Sequence, residues 1–266
     1  MTPAVAAQLA AHKERFALFV DRFLCGDPAA DALFELKRKH TGQVYANAVR
    51  IAASLGLAGD TERDVLLAAL YHDVGRFPQY ALYKTFLDRA SENHALMGVK
   101  ALRREGMLDD LSLASRAVVR GAVALHNRYQ VAEAVPGPVR LATDVVRDAD
   151  KVDIMRVMLA HFDADAAPDD VVVLHVRDEP GQWTRAVYED VMAGRLARYG
   201  DMAYVNDFIL LICGWVNDLN FAESMRIVRE RGLLHDLLTC LPDCTAMRVL
   251  GARLLGALQR RIAAAR

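Results

Sequence analysis

Residues 66–77, LLAALYHDVGRF, place an imidazole and a carboxylate, His72 and Asp73, side by side at the end of an apolar run. Buried without partners, such groups cost several kcal/mol. They are also common ligands of divalent transition metals. Four more groups of the same two types, His40, His94, His126 and Asp150, fall on segments whose apolar residues recur at helical spacing. One or two metal ions shared by this set would offset the burial. A lone histidine on an apolar face is more often a hydrogen-bonded core residue. The inference therefore rests on the ordered set, and His161, His175 and the second His–Asp pair, His235 and Asp236, are given no role. Imidazole with carboxylate suits Mn, Fe, Co, Ni or Zn, whereas Mg prefers an all-oxygen shell.

The elements that must position these groups read as helices. A first amphipathic helix spans about 3–25, with Leu9, Phe16, Phe19, Val20 and Leu24 on its apolar stripe, and Gly26, Asp27 and Pro28 end it. A second runs from about 36 to 55. His40 precedes Val44 by four residues and so shares its inward face. Asp60, Thr61 and Glu62 cap a third helix that carries Val65, Leu66 and Ala69 into the His–Asp pair. Gly75 suits a left-handed closing position there, with Pro78 stopping the helix and residues 80–88 serving as a connection. Ser91 is expected to cap a fourth helix with His94 in its first turn, and a fifth runs from 109 to about 126. Pro136, Gly137 and Pro138 open a long helix with Ala142, Val146, Asp150, Asp153 and Val157 on one face.

Residues 163–170 read as an acidic loop and 171–176, VVVLHV, as the one run with strand character. From Trp183 the chain is helical again, with breaks at Gly200, Gly232 and Pro242. The expected fold is all-α, one helical domain over 1–266 with a metal-binding core at about 36–162 and a C-terminal helical extension at about 183–266.

With 266 residues, 53% hydrophobic, the chain can bury a large core, and its net charge of −1 offers no global attraction to nucleic acid or an acidic membrane. The four cysteines lie outside any metal-like spacing, so free thiols are expected. The N-terminal run carries charges and no cleavage pattern, and residues 208–216 are too short to span a bilayer. The expectation is a cytoplasmic protein with no membrane or stable nucleic-acid partner. A homo-oligomer is left open.

Two local runs go further. His72, Asp73, Gly75 and Arg76 make H-D-x-G-[KR], and Ala149, Asp150, Lys151 and Asp153 make A-D-K-x-D. With His40 ahead of them, this H…HD…D order resembles the HD superfamily of metal-dependent phosphohydrolases over roughly residues 36–162. His94, in S-x-N-H, and His126, in A-L-H-N, fall where binuclear branches of that superfamily carry two more histidines. The resemblance implies an HD-type helical bundle in which His40, His72, Asp73 and Asp150 hold one metal. Asp73 then bridges to a second held by His94 and His126, with Mn or Fe favoured. Two cations about 3.5–4 Å apart would clamp an in-line displacement and lower the pKa of a shared water.

The expected activity is hydrolysis of a phosphomonoester or phosphodiester, nucleotides among the candidates, by attack of a metal-bound hydroxide. Asp73, Arg76, Lys151 and Asp153 are the candidate catalytic residues. Arg76, Lys151 and Arg128 are the candidate cations for a small phosphorylated substrate. Gln79 and Asn127 offer amides. Asp153, one turn after Asp150, could orient a ligand histidine. The alternatives are a di-iron HD-fold oxygenase using O₂ and a non-catalytic ligand-sensing HD module. The G-Y-P triplet of cyclic-dinucleotide members and the acidic pair of (p)ppGpp hydrolases are both missing.

Overall fold

A computed structural model describes residues 1–162 and 176–264. Among these the protein is all-α, with no strand and an isolated parallel bridge between Arg177 and Tyr204. No described helix is long and apolar enough to cross a membrane. The acidic loop expected at 163–170 and nearly all of the strand-like run at 171–176 lie outside the described residues. The chain divides into two compact units, Met1–Asp150 and Lys151–Arg266.

In the first unit, α1 (Pro3–Asp21) starts at Thr2, whose hydroxyl accepts from Val5 N, with proline at its first position. It buries Val5, Leu9, Phe16, Phe19 and Val20. α2 (Pro28–Ser54) starts eight residues earlier than expected, because Asp27 caps it and Pro28 opens it; the Gly-Asp-Pro break between helices is itself a start signal. α3 (Gly59–Tyr71) is enclosed on all sides, with every residue from Glu62 to Tyr71 buried. It packs against α1, α2 and α6. Its expected Asp60 cap is replaced by Ala58, which makes no side-chain cap.

Gly75 departs from expectation. Its φ is −72°, in the ordinary helical region, so it closes nothing in a left-handed turn. A new helix, α4 (Arg76–Tyr83), begins at once and accommodates Pro78 in its first turn, where a proline costs no hydrogen bond. Phe77 fixes the junction: it is fully buried among the rings of Phe16, Phe19, Phe23 and Phe34, at centroid distances of 5.8–6.4 Å. α5 (His94–Arg104) is capped by Asn93 and not by Ser91. Ser91 instead donates to Leu87 O. α6 (Leu113–Leu125) starts at Ser112. Asn47 on α2, seven residues after His40, donates to Ala149 O at 3.1 Å and so fastens α2 to the middle of α7 (Gly137–Phe162).

The second unit takes the end of α7 with α8 (Arg185–Met192), α9 (Val205–Gly214), α10 (Ala222–Glu230), α11 (Leu233–Thr239) and α12 (Thr245–Ala264). α9 is buried from Asn206 to Gly214, and Asp207 in its first turn accepts from Thr184, Ala203 N and Tyr204 N. Residues 215–221, WVNDLNF, begin in this core, where Trp215 and Val216 are buried.

Candidate metal centre

Helix ends build much of the centre. His72 caps the C-terminus of α3 and His126 that of α6, while His94 is the first residue of α5. His40 lies mid-way along α2, Asp150 mid-way along α7, and Asp73 in the turn from α3 to α4. His72 Nδ1 donates to Ala69 O and His126 Nδ1 to Val123 O, both at 2.8 Å. A carbonyl can only accept, so in each neutral ring Nε2 is left as a lone pair. His94 Nδ1 donates to the Asp88 carboxylate at 2.9 Å with the same result.

Those lone pairs converge. His94 Nε2 and His126 Nε2 are 3.1 Å apart, and His72 Nε2 and His40 Nε2 are 3.4 Å apart. The lone pairs of His94 and His126 at such range repel unless a cation lies between them. Asp150 Oδ1 lies 3.1 Å from His40 Nε2 and 3.8 Å from His72 Nε2. Ligands at about 2.1 Å from one ion, at octahedral to tetrahedral angles, stand about 3.0–3.4 Å from each other. The shortest donor spacings here match that interval. Two groups could each hold an ion: His40, His72 and Asp150, and Asp73, His94 and His126, with the donor atoms of each within 4.8 Å of one another.

Asp73 faces both groups. Its Oδ1 is 3.4 Å from His94 Nε2 and 3.8 Å from His126 Nε2. Its Oδ2 is 3.8 Å from His40 Nε2 and 3.9 Å from His72 Nε2. Two cations also touch it, Lys37 Nζ at 3.1 Å from Oδ2 and Arg76 Nε at 3.4 Å from Oδ1.

The electrostatics keep the donors in their binding forms. Burial pushes the His72 pKa down to about 4 against the pull of Asp73 and Asp150, and that of His94 down to about 3. Burial alone would raise Asp73, yet Lys37, Arg76 and His72 together hold it well below the usual carboxylate range. Asp150 is lowered in the same way by His40 and His72 despite its burial. At neutral pH His72 and His94 are therefore neutral and Asp73 and Asp150 ionised, the forms that bind metal.

Asp88 escapes sequence reasoning because it lies in a short 3₁₀ turn with no apolar period around it. It accepts from His94 Nδ1, Arg76 Nη1, Gln79 Nε2, Asn93 Nδ2 and Asn127 Nδ2, and its pKa falls to about 2: burial raises it, and the bonds to His94 outweigh that. Gln79 is fully buried and spends its amide on Asp88, Ser91, Glu92 O and Arg76, so it orients neighbours and does not reach for a substrate. Asn127 likewise turns to Asp88. Asp88→Asn should weaken metal binding at the His94–His126 group about 10–100-fold, the usual effect of losing the partner of a ligand histidine. Calorimetric metal titration checks this, and unchanged affinity would mean that the Asp88 charge does not orient His94.

Arg76 is held in place by Gln79 Oε1, Phe86 O and Asp88. Lys151 pairs with Asp218. Asp153 is fully buried and receives both Arg156 Nε at 2.6 Å and Nη2 at 3.0 Å. Arg128 is exposed, and its carbonyl accepts from Arg147. Lys37 is the cation that sequence reasoning passed over.

The family model of the HD domain matches residues 38–155. No curated protein and no solved structure matches the chain. HD domains bind divalent metals and are typically metal-dependent hydrolases. Residues 38–155, which contain all six donors that the helices bring together, are thus similar to the HD domain.

Proposed function

We propose that this chain hydrolyses a phosphomonoester or phosphodiester at a binuclear centre. In this reading His40, His72, Asp73 and Asp150 hold one ion, and Asp73, His94 and His126 hold the other. The supporting observation is the division of the Asp73 carboxylate, one oxygen toward each pair of imidazoles. Divalent ions bound there would supply Lewis-acid polarisation of a phosphoryl oxygen and a water acidified enough to attack near neutral pH.

The protein's own part is to position and to neutralise. The three orienting hydrogen bonds fix the imidazole tautomers, and the burial of the set excludes bulk water. Arg76, locked by three acceptors, presents its guanidinium beside the reacting phosphoryl group, where charge accumulates in the transition state. Lys151 and Asp153 follow Asp150 on the same helix, where they pair with Asp218 and Arg156. The substrate is a small phosphorylated molecule, with nucleotides in the candidate class, and Mn or Fe is the expected metal.

Turnover of 4-nitrophenyl phosphate should vanish after chelation and return with Mn under anaerobic conditions. Two irons per chain, O₂ consumption and no phosphate release would replace hydrolysis by oxygenase chemistry.

A further inference from the structure

We propose that Lys37 is a substrate-binding residue which, with Arg76, grips the non-bridging oxygens of a phosphomonoester dianion; this rests on the hydrolytic reading of the same centre. Lys37 lies one turn before His40 on α2 and one residue ahead of the segment matched by the family model. Its ammonium touches one oxygen of Asp73 while the guanidinium of Arg76 approaches the other. Both oxygens also face the histidine pairs. A metal ion on each oxygen would use the charge that now balances these cations and leave both beside added positive charge. An anion arriving at the ions restores that balance.

Lys37 is placed to receive it. Its side chain is 20% exposed, and Nζ lies 5.3 Å from the ring centroid of Phe86, itself half-buried. The flexible stem allows the ammonium to turn from Asp73 to a ligand. Arg76 cannot turn in this way, because Nη1 is fixed by three acceptors. One mobile and one fixed cation flank the same carboxylate.

Charge selects the ester class. The charged groups touching Asp73 and His94 are Lys37, Arg76 and Asp88. With Asp73 and Asp150 they sum to one negative charge when the ligand histidines are neutral. Two divalent ions change that to three positive charges. The C-terminal ends of α3 and α6 and the N-terminal ends of α4 and α5 offset one another as helix dipoles. A hydroxide nucleophile and a phosphomonoester dianion bring the sum to zero. A phosphodiester monoanion leaves a positive charge uncompensated in a buried site, which disfavours it.

The test uses the Mn-loaded full chain. Calorimetry gives the Kd for inorganic phosphate, metal analysis gives ions per chain, and kcat/KM is compared for 4-nitrophenyl phosphate and bis(4-nitrophenyl) phosphate. Lys37→Ala should raise the phosphate Kd at least about tenfold, the effect of losing one charge-assisted hydrogen bond. Metal content should hold, Lys37→Arg should recover part of the affinity, and the wild-type preference for the monoester should narrow. Should Lys37→Ala misfold by circular dichroism, Lys37→Gln keeps the stem and carries the same expectation.

An unchanged phosphate Kd, a wild-type preference for the diester, or a loss of phosphate binding that only tracks loss of metal overturns the proposal. Lys37-dependent phosphate binding without turnover of either ester keeps the Lys37 site and refutes hydrolysis. Turnover with phosphate affinity unmoved does the reverse.

Discussion

Asp73→Asn is expected to lower kcat by at least about 10³-fold, at the upper end for loss of a preorganised electrostatic group, and to reduce the bound metal below two ions per chain. The substitution keeps shape and volume, so the helices should persist in circular dichroism. What changes is the number of acceptors. An amide offers one oxygen, whereas the carboxylate directs one toward His94 and His126 and the other toward His40 and His72. The amide also carries no charge, so Lys37 and Arg76 lose the anion that they share. Metal analysis with steady-state kinetics decides the matter. Two ions still bound to Asp73→Asn would show that the carboxylate does not bridge, and collapse of the helical spectrum would show a structural role instead.

Gly75→Ala should be nearly as damaging, by steric exclusion. A Cβ at this position would stand 2.0 Å from His94 O, 2.5 Å from Gly98 N and 3.0 Å from Gly98 Cα. All three are backbone atoms that no rotamer change can move. Overpacking of a core by side chains costs about 1–3 kcal/mol, and a backbone clash belongs at or above the top of that range. The movement also has a direction. α5 must retreat from the start of α4, and α5 begins with His94. Urea denaturation should show a loss of about 3 kcal/mol, and metal titration should show the His94–His126 group weakened more than the His40–His72–Asp150 group. Equal weakening of both groups would show that the disturbance is not confined to α5.

The contrast at Gly75 shows where sequence reasoning succeeds and where it stops. A glycine after the His–Asp pair was legible as a requirement, but its cause was not. The spacing suggested a left-handed helix end, while the structure needs an absent side chain where two backbones meet, a contact between residues far apart in sequence. His40, His72, His94, His126 and Asp150 were legible because each sits at or within a helix whose apolar period sets its face. Lys37 has the same register as His40, but a lysine among Lys37, Arg38 and Lys39 looks like a solvated face. Its contact with Asp73 depends on how α2 packs against α3. Asp88 had no period at all. The all-α fold followed from periodicity and punctuation, whereas helix starts shifted wherever a cap such as Asn93 or Asp27 competed with a neighbour of similar chemistry.

The enclosure of α3 bears on how metal ions would enter and leave the centre. Small metallo-domains owe their fold to the metal and come apart in chelator. Here His72 and Asp73 follow directly on a helix walled in from Glu62 to Tyr71, whose last turns, residues 65–71, are held by apolar packing. Amides along that stretch should exchange with solvent only through global opening. A stripped chain would therefore keep its vacant donors aligned, and one ion could replace another without any refolding of the protein.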